Sequence, residues 1–223
     1  TSPAMGLHVE GSASSNNYGT RIANTDASGY STIQMGGTDA GIYRNGSSQT
    51  SYGGASSLNL ITVSGHPISL STSNTVRMKI DGSGYVTTPS QPGFSVYTTA
   101  STVPNNTIQF GGTDFNTGTH FNTSTGVFTA PIAGKYWFFF HLLQTRTTSN
   151  GEGYVDIYKN GSYVYRNYEY KEATLNQHVE YKGGYIINLA VNDTIKLFLQ
   201  ASVGSLGIIA NTQHCKFSGY LLG

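Results

Sequence analysis

The chain of 223 residues is short of several things at once, and each shortage excludes a class of protein. It has one cysteine, Cys215, so it builds neither an internal disulfide framework nor a cysteine-ligated zinc site. Only 10% of its residues are charged and the formal net charge is +1. That leaves no electrostatic footprint for nucleic acid or an anionic membrane. No apolar run approaches the length of about 18 residues that a membrane-spanning helix needs, so no membrane insertion is expected. The opening TSPAMGLHVEG lacks a basic segment followed by an apolar core, and no signal peptide is expected there.

Catalytic patterns are missing too. The six histidines lie far apart, without HExxH or HxH spacing, and GxGxxG and P-loop patterns are absent. The few acids are scattered, with no motif for the carboxylate pair that glycan hydrolysis uses. The reading is no enzyme, no catalytic residue, no cofactor and no metal. Asp114 and Asp193 are taken as turn caps rather than calcium ligands.

What the chain has is 28 Gly, 16 Tyr and 10 Phe among many Ser, Thr and Asn, a composition suited to strands joined by tight turns. The aromatics are unevenly placed. All ten Phe and the single Trp lie at Phe94 or beyond. Residues 1–90 carry only isolated apolar residues, which read as short half-buried strands in STIQMGG, SLNLITV, HPISLST and TVRMKIDGSGYV. Asn45-Gly46 and Asp81-Gly82 read as hairpin turns. Such strands need partners to cover one face, so 1–90 is expected to be a β-rich, intertwined trimeric shaft or collar. TTPSQPG at 87–93 reads as a linker, and residues 91–223 as the second domain. TIQMGGTD at 32–39 is echoed by TIQFGGTD at 107–114, taken as one strand-then-turn solution used twice.

The second segment is a succession of richer strands without a helical period, which predicts an all-β jelly-roll sandwich. In KYWFFFHLLQ, Tyr136, Phe138, Phe140 and Leu142 share one face, and Trp137, Phe139, His141 and Leu143 share the other. Both faces are apolar, as at the terminal Phe217, Tyr220, Leu221 and Leu222. A strand of this kind is covered twice, once by the opposite sheet and once by another subunit. Tyr136, Phe138, Phe140, Leu142, Tyr220 and Leu222 are therefore assigned to the trimer interface or core. SYVYRNYEYKE packs Tyr163, Tyr165, Arg166, Tyr168 and Tyr170 closely enough to suggest a recognition surface. Arg146, Asn150 and Glu152 in one polar loop and Leu206 in another join that candidate receptor-binding set.

FSVYT, FNTSTGVFTAPIAGKYWF, YKNG, LAVNDTIKLF and FSGYLL occur in the order in which they occur in the C1q-like globular domain of the tumour-necrosis-factor superfamily. The segment 94–223 resembles that family, most specifically from Phe121 through Gly126, Phe128, Pro131, Gly134 and Tyr136 to Phe138. The resemblance implies a ten-stranded jelly roll and a tight homotrimer, with calcium bound in some members. Residues before it are similar to a phrase of bacteriophage tail-fibre proteins, through Arg77, Met78, Ile80, Asp81, Gly84 and Val86. In many such fibres a self-cleaving Ser-Lys chaperone follows, and no such context exists here. Together these imply a virion fibre protein whose trimeric head binds a host-surface glycan or protein, with the N-terminal segment meeting other virion proteins. A purely structural trimerisation or decoration protein, a secreted C1q-like lectin and a tailspike depolymerase are the alternatives.

Overall fold

A computed structural model describes residues 25–35, 40–146, 153–169, 177–201 and 206–223. The described residues are all strand and turn, with no helix. The chain divides into two compact units between Thr87 and Thr88.

The first unit holds β1 (Tyr30–Met35), β2 (Ala40–Asn45), β3 (Leu58–Thr62), β4 (Ile68–Thr72), β5 (Thr75–Ile80) and β6 (Val86–Thr87). They form two antiparallel sheets, β1-β2-β3 and β4-β5-β6. Tyr43 is the only large apolar side chain fully buried in the described part of this unit, under the rings of Tyr30 and Tyr52. The opposite face of β1-β2-β3 presents Ile33, Ile42 and Leu60 side by side in register, all exposed.

Asn45-Gly46 does not make the expected hairpin turn. β2 ends at Asn45 and a long loop follows before β3. The buried Asn45 amide ties that loop down, donating to the carbonyls of Ser51 and Gly54 at 2.6 and 3.0 Å. The tight turn lies instead at Ser73-Asn74, where both φ angles are positive (49° and 57°). Asp81 does cap a turn, its carboxylate accepting from the backbone N–H of Ser83 and Tyr85.

The second unit contains β7 (Gly93–Tyr97), β8 (Asn106–Thr107), β9 (Gly112–Thr117), β10 (Phe121–Asn122), β11 (Val127–Thr129), β12 (Gly134–Arg146), β13 (Gly153–Lys159), β14 (Ser162–Glu169), β15 (Gln177–Leu189), β16 (Thr194–Ala201), β17 (Leu206–Ile208) and β18 (Lys216–Leu221). One sheet runs β10-β11-β16-β13-β14 with β8 on β16, the other β15-β12-β18-β7-β9 with β17 on β12. The expected ten strands are thus twelve segments, because β8 and β10 are two-residue pieces.

The sheets enclose one core drawn from both. Its centre is Phe94, whose ring lies 4.7 Å from Phe121, 5.2 Å from Phe128, 5.1 Å from Phe217 and 6.3 Å from Phe138. Glycine makes room for these rings: a methyl on Gly219 would sit 2.5 Å from Phe94 and 2.8 Å from Phe138. Gly126 is needed twice over, for a φ of +71° and because a Cβ would lie 2.5 Å from the Ile108 carbonyl oxygen. Gly134 is not at a turn of that kind. It opens β12, and Leu221 packs where its side chain would be.

The echoed octapeptides have different fates. Ile33 of the first is half-exposed in a regular strand, whereas Ile108 and Phe110 of the second are fully buried in the core. Cys215 is buried as well, and desolvation raises its thiol pKa. Replacing Phe94 by Ala removes the ring shared by both sheets and is expected to cost about 3–5 kcal/mol in denaturant unfolding of the second unit. Gly219→Ala, adding one methyl, is expected to cost about 1–3 kcal/mol by overpacking.

Candidate functional site

β12 alternates as its sequence dictates. Tyr136, Phe138, Phe140 and Leu142 are completely buried, so these four belong to the core inside one chain. Trp137 and Phe139 point the other way, to the outer face of the sheet. The register places Ile186, Trp137 and Tyr220 in one row across β15, β12 and β18. Phe139 lies in the next row, with Gly184 and Ser218 beside it. Phe115 on β9 and Leu222 after β18 extend the patch, and the six apolar side chains are each 40–58% exposed. A concavity of about 250 Å3 opens on this face, lined by Phe115, Trp137, Tyr220 and Leu222 over Phe94.

Glycines lie under the rings of the patch. A methyl on Gly93 would be 2.7 Å from the Tyr220 ring, and one on Gly184 would touch Trp137 and Phe139 at 3.4 and 3.6 Å. The Tyr97 ring covers Gly112 in the same way. Of the residues assigned from sequence to the interface or core, only Tyr220 and Leu222 lie on this outer face. Phe115 and Ile186 were not singled out. Their signal was register across strands, which a single strand's alternation does not contain.

The outer face of the other sheet has different chemistry. Asp156 on β13 is fully buried and binds Arg166 through two bonds, Nε to Oδ1 at 2.8 Å and Nη2 to Oδ2 at 2.9 Å. Nη2 also donates to Gln200 at 2.9 Å. The hydrogen bonds that Arg166 donates to Asp156 raise the Arg166 pKa above its ordinary value. The guanidinium lies over two tyrosine rings, 4.5 Å from the Tyr154 centroid and 5.2 Å from that of Tyr163. Tyr158 and Phe198 continue the aromatic surface, with Lys196 over both.

A bulge explains this grouping. The β13–β14 register passes from Ile157–Tyr165 to Tyr158–Tyr163, skipping Val164. Tyr163 and Arg166 therefore share the outer face, while Tyr165 turns to the sandwich edge and stacks on Tyr185 at 4.5 Å. Simple alternation would have put Tyr163 with Tyr165. Of the expected receptor-binding residues whose side chains are described, Tyr163 is the most exposed at 60%. Arg166 is engaged by Asp156 and supports the platform. Asn150, Glu152 and Tyr170 lie outside the described residues, as do the side chains of Arg146, Tyr168 and Leu206.

The described carboxylates each serve a local partner. Asp26 caps a turn at Ser28, Asp114 holds Lys216 and Ser95, and Glu180 holds Lys182. Asp193 accepts from Asn160 Nδ2 at 2.7 Å, Lys159 Nζ at 2.8 Å and the Ala190 N–H at 2.8 Å. Those bonds lock the β13–β14 turn to the β15–β16 turn. They hold the Asp193 carboxyl down to about 2. Among the described residues no three His, Cys, Asp or Glu side chains cluster to hold a metal ion.

Residues 93–222 match the family model for the C1q domain. A stretch of 116 residues, 52% of this chain, is 28% identical to the human protein named Complement C1q and tumor necrosis factor-related protein 9A. The match spans about a third (33%) of that protein's length. Among solved structures, the globular domain of zebrafish complement 1qA has a TM-score of 0.47 at 19% identity, covering 60% of this chain and 98% of its own. The Eiger TNF of S. frugiperda has a TM-score of 0.48 at 7% identity, covering 60% and 93%.

Two predictions follow from these contacts. Arg166→Ala strands a buried carboxylate. It is expected to cost about 3 kcal/mol in chemical denaturation, at the low end for a buried pair because the guanidinium is partly in water. Asp193 has a depressed pKa, so its contribution is complete above the ordinary carboxylate range near 3.8 and is lost as pH falls through about 2. Acid titration of unfolding stability between pH 4 and 2 is expected to be shallower for Asp193→Asn than for the parent chain.

Proposed function

The chain belongs to the C1q domain family through residues 93–222, and from that premise we propose that it is a non-enzymatic, homotrimeric binding module on a virion fibre whose head docks to a cell-surface glycan. The observation that carries the trimer is the outer patch of Phe115, Trp137, Phe139, Ile186, Tyr220 and Leu222. Contiguous exposed apolar surface of this kind marks an association site. The described part of the first unit has the same need, since Ile33, Ile42 and Leu60 face outward and Tyr43 is its one fully buried large apolar side chain.

With one outer face used between copies, the other is left for a ligand. Tyrosine faces stacked around a fixed guanidinium offer area and hydrogen bonding at low entropic cost, as sugars require. Three such platforms on one rigid trimer would act together through effective concentration. The non-enzymatic reading is supported by the described carboxylates, each already bound to a turn or a cation. The fibre setting, with other virion proteins meeting the N-terminal segment, is supported by the RMKIDGSGYV phrase alone. The identity to the human C1q-related protein favours a second reading, a C1q-like lectin outside any particle.

Sedimentation velocity of the full chain at micromolar concentration is expected to give a trimer, and Trp137→Glu a folded monomer. A monomeric parent chain would overturn the proposal. On a glycan array Tyr163→Ala is expected to lose at least about tenfold in binding while remaining trimeric, the loss of a stacking anchor. A parent chain that binds no glycan but remains trimeric would reduce the role to structural trimerisation. Reducing sugar released from a bound polysaccharide would make it a depolymerase.

A further inference from the structure

The row of the outer face next to Phe139 is ionic. The register aligns Lys182 on β15, His141 on β12 and Lys216 on β18. His141 Nε2 lies 3.5 Å from Glu180 Oε1, and the same carboxylate holds Lys182 Nζ at 3.0 Å through its other oxygen. Lys216 Nζ is held by Asp114 of β9 at 2.7 Å. His214, just before β18, sets its ring edge-on to His141 with centroids 6.4 Å apart. Tyr97 on β7 completes the row, paired with Lys216.

Two lysines and two carboxylates cancel, so with neutral imidazoles this edge of the patch has no net charge. Hydrogen bonds from Lys182 and from Lys216 lower the pKa values of Glu180 and Asp114 respectively, so both stay ionised well into mild acid. Imidazole is the ordinary side chain that gains charge between about pH 8 and 5. Protonating both rings takes the row from no net charge to two positive charges per chain, with Glu180 then shared between Lys182 and His141. Three copies meeting through this face would gather six.

We infer that the His141–His214 pair makes the assembly acid-labile, the trimer loosening as the imidazoles charge beside Lys182 and Lys216. The inference rests on the proposed use of this face between copies. Repulsion among like charges at a partly desolvated contact opposes association, and charges within about 10 Å are only partly screened at 0.1 M salt.

The test is sedimentation velocity of the full chain over a concentration series at pH 7.5 and pH 5.5, with far-ultraviolet circular dichroism to follow the fold. The expected result is a trimer at pH 7.5 and a dissociation midpoint raised about tenfold or more at pH 5.5, with the spectrum unchanged. The double variant His141→Gln, His214→Gln is expected to be trimeric at both pH values. A parent trimer equally tight at pH 5.5, or a double variant as acid-sensitive as the parent, overturns the inference while leaving the trimer itself intact. A monomer already at pH 7.5 overturns the trimer reading and this inference with it.

Discussion

The phenylalanine cluster around Phe94 is the contact on which the second unit depends. Its rings come from both sheets, so aromatic carbon joins the two inward faces, with the aliphatic side chains of β13 and β16 filling the rest. A core packed to that degree has no space for further large side chains. Trp137 and Phe139 therefore lie outside by necessity of alternation. The same packing that closes the sandwich produces an apolar exterior.

The two exteriors then diverge through what lies on neighbouring strands. On β15-β12-β18 the register lines up apolar side chains in the rows of Trp137 and Phe139, and the ion pairs are confined to the next row, that of His141. On β16-β13-β14 a buried carboxylate, Asp156, sits among tyrosines and fixes a cation at their centre. Burying a charge is tolerable only with such pairing. The platform's geometry is thus set by an electrostatic need arising within the sheet.

Much of this was legible in the sequence. The period of two in KYWFFFHLLQ determined which side chains enter the core, because a pleated strand has no other option. The contrast between the first 90 residues, without Phe or Trp, and the rest anticipated how little the described part of the first unit covers. What escaped depended on pairing between strands. The Val164 bulge changes the parity of Tyr163 relative to Tyr165, and nothing local announces it. Asp156 looked like one scattered acid until Arg166 was opposite it. TIQMGG and TIQFGG show the limit most clearly: nearly the same residues stand in an open strand once and in a packed core once, because tertiary surroundings decide burial.

The glycines beneath the outer rings carry a consequence for how such a surface is mapped. Gly93, Gly112 and Gly184 make no contact that truncation could remove, so an alanine scan scored as lost side chains would pass over them. Yet one methyl at Gly93 or Gly112 would lie 2.7 or 2.1 Å from the ring above it and displace that ring, whereas one at Gly184 only touches Trp137 and Phe139. The shape of the surface is set by residues that never reach it, and a search for its determinants has to add atoms as well as subtract them.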